Sequence, residues 1–343
     1  MQGSGLRSGG RSTVTPQFHI GLLPNRPVAE CLAIGEAADR LGYSGVWVAD
    51  SHSVMRGAFE ILAVLASRTR RIALATGVTH TVTRHPAVIA NSIATIDELS
   101  AGRAILGIGV GESAVHNLGL RPEKLAVFAD KLRVIRALLR GDEVEYDGAS
   151  IRMPWSNCRA PIVMACSGPK SLRLAGGLAD GVLFQVGADP SLARYALDNI
   201  RRGAEAAGRS PGAIRLYMRL ACSVGGDREA ARAAVRGYAA IAAGTVYRTV
   251  PRSYFSDGLW EDLAAFKAQY DYTEHGRNEA RHAALLTDRI IDAVAVAGTP
   301  EEAVPRLRQL AELGIAGFVW PAAMPDPLPY LETFAASVMP QLQ

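Results

Sequence analysis

Along this chain, eight short apolar runs alternate with amphipathic helical stretches. That alternation constrains the fold more than any other feature. Parallel neighbours need a long crossover, and the crossover helices then cover the faces of the sheet. The apolar runs are residues 18–23, 45–50, 72–78, 103–111, 161–166, 181–186, 214–224 and 317–320. Between them lie helix signals with a physical reason behind each. Ala29, Leu32, Ala33 and Glu36 fall at helical spacing before Gly42, a natural stop. Pro86 and Pro169 stand where a first helical turn tolerates proline. Helices are expected from Asp189 and Asp227, and the series Thr299-Pro300-Glu301-Glu302 carries N-cap chemistry. Eight such units favour closure into a (β/α)8 TIM barrel over an open doubly wound sheet.

The rhythm breaks twice. Glu143-Val-Glu-Tyr-Asp-Gly148 reads as a small hairpin. Residues 247–291, with the aromatic run Tyr270-Asp-Tyr-Thr-Glu-His-Gly276, read as an insertion before the last strand, either shaping the substrate site or serving as a packing arm. Residues 1–17, rich in Gly, Ser and Arg, have no apolar stretch of the signal-peptide kind and read as a disordered tail or a cloning remnant. The rest, 18–343, reads as one domain.

Bulk properties exclude several classes. A net charge of +4 without a long Lys/Arg run gives no case for nucleic acid or an anionic membrane. No continuous apolar stretch of about 18 residues occurs, so no membrane span is expected. Cys31, Cys158, Cys166 and Cys222 are scattered and form no CxxC pair, which points to packed thiols in a cytoplasmic protein and to no metal site.

In a parallel barrel, chemistry belongs at the carboxyl ends of the strands, and the candidates lie there. Asp50, Ser51 and His52 follow the second run, where Asp50 faces the site or caps a helix. Gly77-Val78 ends the third, with Thr79, His80, Thr81, Arg84 and His85 beyond it. Gly109-Val110-Gly111-Glu112 ends the fourth, where small residues admit a ligand to the backbone and Glu112 supplies a carboxylate. Ser167-Gly168-Pro169-Lys170-Ser171 joins the fifth run to its helix, a junction whose free N–H groups suit a phosphate. Neither GxxxxGK[ST] nor an early GxGxxG occurs, which leaves out nucleotide triphosphatases and dinucleotide folds.

Taken together, Gly45-Val-Trp-Val-Ala-Asp50, Thr83-Arg-His-Pro-Ala-Val-Ile-Ala90, Ile93-Ala-Thr-Ile-Asp-Glu-Leu-Ser-Ala-Gly-Arg103, Gly107-Ile-Gly-Val-Gly-Glu112, Ser167-Gly-Pro169 and Gly298-Thr-Pro300 resemble the bacterial-luciferase-like superfamily. The branch they are most similar to is the coenzyme F420-dependent one, methylenetetrahydromethanopterin reductase-like. The resemblance implies a non-prolyl cis peptide at Gly77-Val78 backing a deazaflavin or flavin ring. It implies His80 near the ring's polar edge and backbone contacts at Val110 and Gly111. Asp50 then stands on the cofactor side, and Ser167, Gly168, Pro169 and Lys170 on the phosphate tail. Glu112, with His52, becomes the acid/base candidate. In that branch His often follows the strand-2 acid directly; here Ser51 intervenes before His52, which argues against glucose-6-phosphate-type chemistry.

The function so implied is hydride transfer between coenzyme F420 and a C=N, C=C or C=O bond of a small-molecule substrate. The alternative is an FMN-dependent monooxygenase fed by a flavin reductase partner, and a further one a non-catalytic barrel that binds flavin or a partner. A homodimer is implied by the resemblance alone.

Overall fold

The computed structural model describes residues 15–270, 281–324 and 326–343. The segment 1–14 of the expected tail, and most of the run from Tyr270 to Gly276, lie outside the described residues. Eight barrel strands are present: β1 (Gln17–Leu22), β2 (Gly45–Val48), β3 (Ala73–Thr76), β4 (Ala104–Gly109), β5 (Ile162–Cys166), β6 (Gly181–Phe184), β7 (Arg215–Arg219) and β8 (Gly317–Pro321). They run β3-β2-β1-β8-β7-β6-β5-β4, and β3 pairs with β4 to close the circle, all parallel. The (β/α)8 barrel read from the repeats is therefore the fold. Strand β1 already begins at Gln17, so the tail is shorter than its sequence suggests.

Inside the barrel, seven strands send one buried side chain each into a single cluster: Trp47, Ala75, Ile105, Val163, Leu183, Tyr217 and Val319. From β1 comes His19 instead, edge-on to both Trp47 and Tyr217. Outside, the apolar faces of the helices meet the other side of the strands. The helix starts have the expected causes. Asp227 Oδ1 accepts from the N–H groups of Glu229 and Ala230 at 2.9 and 3.1 Å, opening Arg228–Thr249. Asp189 does the same for Pro190–Ala206. The Glu302 carboxylate accepts from the Thr299 N–H at 3.0 Å.

Two features depart from the sequence reading. First, 214–224 is not one strand. Residues Ala221–Val224 leave the barrel and pair in parallel with Ala295–Gly298, forming a two-stranded sheet of their own. The excursion before β8 is therefore framed by these two strands and is wider than 247–291. Helix Arg228–Thr249 runs straight through the supposed boundary at Tyr247, and helices Asp257–Ala268 and Asp288–Val294 follow. Second, a helix at Leu328–Ser337 closes the outer ring after β8. It buries Leu331 and Phe334 against Phe18, Tyr43 and Trp320, each large apolar side chain contributing about 1.5–3 kcal/mol. Arg103, the last residue of the Ile93–Arg103 motif, serves the scaffold. Its guanidinium donates to the carbonyls of Ala66, Thr69, Ile72 and Ser100 below the barrel. The hairpin forms as read, with Asp147 and Gly148 both at positive φ in the manner of a type I′ turn. Among the described residues, no helix is long and apolar enough to cross a membrane.

Candidate active site

A cleft of about 430 Å³ opens at the carboxyl ends of the strands. The wall at the ends of β3 and β4 is built largely from backbone. The peptide bond Gly77–Val78 is cis, and Gly77 lies so close to Trp47 that a Cβ there would sit 2.8 Å from the Trp47 backbone carbon. The Gly77 N–H donates to the Val48 carbonyl at 2.6 Å, tying this turn to β2. Next to it, Thr79–His80 pairs with the end of β4. Gly111 has φ +82°, and a Cβ on it would meet Val115 Cγ2 at 2.2 Å. Only glycine serves there.

Asp50 is the best-anchored polar group of the cleft, its side chain 1% exposed. Arg84 grips it through two nitrogens, Nη1 to Oδ2 at 2.5 Å and Nη2 to Oδ1 at 3.2 Å, and the Thr79 hydroxyl donates to Oδ2 at 2.6 Å. The guanidinium also stacks over Phe59, 5.1 Å from its centroid. Asp50 caps no helix, since the next one, Ala58–Arg68, starts after Gly57. His52 is not part of the cleft wall. Its Nε2 is 2.6 Å from the Thr83 hydroxyl and its Nδ1 3.4 Å from Asp50 Oδ1, so it stands behind the acid. The residue inserted between Asp50 and His52, Ser51, takes the wall position instead.

His80 lines the cleft and is buried, yet neither ring nitrogen has a protein partner. Burial is the largest cause lowering its pKa below the usual histidine value, with Asp50 opposing. A neutral imidazole so placed offers one donor and one acceptor to whatever enters. Behind it, Thr81 donates to Glu123 Oε2 at 2.5 Å, and Lys131 is bonded to the same carboxylate.

Val110, Gly111 and Glu112 line the rim. The Glu112 carboxylate is mostly in water and lies 3.3 Å from Arg248 Nη2, an ion pair that spans the mouth to helix Arg228–Thr249. On the far side of β5, Ser167, Gly168 and Ser171 line the cleft, while Pro169 and Lys170 are exposed and outside its wall. Helix Pro169–Leu178 begins there with no side-chain cap, so its first N–H groups remain available to an anion. The Tyr195 hydroxyl fixes this corner, reaching the Thr249 carbonyl at 2.9 Å and that of Ser167 at 3.4 Å.

Several cleft residues escaped the sequence reading: Gln185, Arg219, Thr245, Arg248 and Thr249. Two left a signal. Arg219 is a charge at the carboxyl end of a strand whose middle is buried. Thr245, Arg248 and Thr249 stand at i, i+3 and i+4 in an Ala-rich helix, and so share one face.

A closed parallel barrel with its polar cleft at the strands' carboxyl ends defines a barrel enzyme. The chain belongs to the luciferase-like monooxygenase family, whose model matches residues 9–317. It is 32% identical over 310 residues to a 5,10-methylenetetrahydromethanopterin reductase of Methanolobus tindarius, covering 88% of this chain and 93% of that one. An F420-dependent glucose-6-phosphate dehydrogenase of Nakamurella multipartita is 28% identical, with 92% and 93% covered. In structure, the coenzyme F420 dependent tetrahydromethanopterin reductase from Methanopyrus kandleri superposes with a TM-score of 0.80 at 24% identity, covering 96% of this chain and 99% of that one.

Proposed function

We propose that this chain is an oxidoreductase that uses coenzyme F420 to transfer hydride to or from a C=N, C=C or C=O bond of a small organic substrate. The observation that carries this reading is the wall at β3 and β4. There Gly77, Val78, Gly109 and Gly111 bring backbone to the cleft, and His80 presents two buried ring nitrogens without partners. Such nitrogens are costly unless a ligand's polar edge meets them. The similarity to F420-dependent reductases and dehydrogenases supports the same cofactor.

The residues present fit the group. Gly77 and Val78 would back the ring, and His80 would address its polar edge. Val110 and Gly111 offer backbone, and Ser167, Gly168 and Ser171 with the adjoining helix start hold the phosphate. Pro169 and Lys170 stand outside the wall and contribute through the turn and long-range charge. When bound, coenzyme F420 supplies a two-electron hydride donor or acceptor. The protein's part is to hold the two reactants in register, exclude water and manage the accompanying proton. Glu112 is our candidate for that proton, because its carboxylate reaches both the cleft rim and bulk water. Asp50 holds the Thr79–His80 segment, and His52, behind Asp50, is assigned to positioning and not to proton transfer. We expect a cytoplasmic homodimer supplied with reduced cofactor by a separate reductase.

Titration of the purified protein with F420 and with FMN, followed by fluorescence, tests the cofactor. Saturable F420 binding with FMN much weaker is the expected result. Saturable FMN binding without F420 binding overturns it and favours a reduced-FMN monooxygenase.

A further inference from the structure

Opposite the Gly77–Val78 wall stands the guanidinium of Arg219. In the closed order of the barrel, β7 lies diametrically across from β3. Tyr217 on β7 points into the barrel interior. Arg219, two residues on, therefore faces the same way and one step nearer the mouth. It lines both the main cleft and the small cavity beneath it, beside Leu23, Ala49 and Leu183. Its guanidinium carbon is 5.6 Å from the centroid of the Tyr238 ring. The Tyr238 hydroxyl in turn donates to Gln185 Oε1 at 3.2 Å, so the cation is backed by a fixed aromatic face.

Charge in the cleft is unevenly matched. Asp50 and Glu112 are the two acidic residues among those lining it. Asp50 is held by Arg84, and Glu112 pairs with Arg248 at the rim. Neither is bonded to Arg219. Arg219 meets the Tyr238 phenol but no carboxylate among the described residues, and a half-buried cation above an apolar floor gains from an anion that reaches it. The planar fork of arginine suits a carboxylate through two parallel hydrogen bonds.

We infer that Arg219 anchors a carboxylate of the substrate, across the cleft from the Gly77–Val78 wall. This rests on the reading of the cleft as an F420 oxidoreductase site and names its substrate class. The reacting bond belongs to a carboxylate-bearing molecule, with the carboxylate held by β7 and the reducible bond lying between β7 and β3. Hydride transfer and proton handling are unchanged by the anchor, which sets only which molecule is aligned.

The probes are benzoate and its neutral isostere benzamide, titrated into the protein–F420 complex and followed by F420 fluorescence, and into the F420-free protein by calorimetry. Native protein binds benzoate at least about tenfold more tightly than benzamide, as a charge-assisted bidentate contact requires. Arg219→Gln loses that preference while binding F420 as the native protein does, and Arg219→Lys keeps part of it. Equal binding of the two probes by native protein, or no saturable benzoate binding, overturns the inference without recourse to a variant. So does loss of the preference in Arg248→Gln with retention in Arg219→Gln, or a loss of F420 affinity in Arg219→Gln, which would place the cation on the cofactor. Should F420 fail to bind while calorimetry still shows an Arg219-dependent benzoate preference, the cofactor reading falls and the anion anchor stands.

Discussion

Replacing Asp50 by Asn keeps the shape of the side chain and removes its charge. The oxygen that now accepts from Arg84 Nη2 or from Nη1 and Thr79 becomes an amide donor, so at least one N–H of Arg84 faces another donor. Breaking a fully buried pair by removing one partner costs about 3–5 kcal/mol. Here the Arg84 side chain is 21% exposed and keeps its contact over Phe59, so water and the ring recover part of that. The expected loss in unfolding free energy is about 2–3 kcal/mol, read from urea denaturation. Arg84→Met alone costs a similar amount, because it strands the carboxylate. The double variant costs less than the two summed, with a coupling of about 2 kcal/mol. A second readout is binding. Asp50 holds Thr79, the residue just past the cis bond, so Asp50→Asn weakens F420 binding about tenfold. A coupling below about 0.5 kcal/mol would show that the pair is no unit and refute the reasoning.

Glu112→Gln separates chemistry from stability. Both partners of the Glu112–Arg248 pair are more than half exposed, so the unfolding free energy should move by less than about 1 kcal/mol. Turnover, measured as F420H2 oxidation at saturating substrate, should fall about 100-fold with F420 affinity retained; an unchanged rate removes Glu112 from proton handling. His19 gives a pH test. Burial, with Arg215 adding, lowers its pKa from 6.5 to about 3. The unfolded chain then binds the extra proton between those values, so stability is complete above the unfolded pKa and is lost as pH falls. At pH 5 the loss relative to pH 8 is about 2 kcal/mol. In His19→Leu that portion of the acid limb should vanish; an identical acid slope in both proteins contradicts the assignment.

Much of this molecule was legible because parallel strands are bounded runs of apolar residues and their helices start on recognisable caps. The same simplicity hid the switch at Leu220. Both Arg215–Arg219 and Ala221–Val224 continue one apolar run, and a strand buried on both faces carries no period that tells one sheet from another. The site divides in the same way. Gly77, Gly111 and Asp50 could be placed because glycine and a strand-end acid signal backbone and charge requirements locally. Arg219 and Arg248 could not, since what matters about them is which wall of the mouth they face, and that depends on strand order and on a helix from the excursion. His52 erred for a local reason: one inserted residue turned it from the cleft to the Thr83 hydroxyl.

The two walls of the mouth also differ in what a substitution can do. The wall from β2 to β4 rests on backbone, with Gly77 against Trp47, Gly111 at positive φ and Thr79 tied to Asp50. Few side chains can be exchanged there without moving main chain, which fits the ring site proposed for this wall. The opposite wall is made of side chain ends: Gln185, Arg219, Thr245 and Arg248, the last two on a helix outside the barrel proper. Their exchange leaves the strands and the ring wall as they are. Substrate choice can therefore change through a few positions just past β6, on β7 and on helix Arg228–Thr249 while the wall from β2 to β4 stays intact. A search for this chain's substrate should start from the charge and spacing of those four residues.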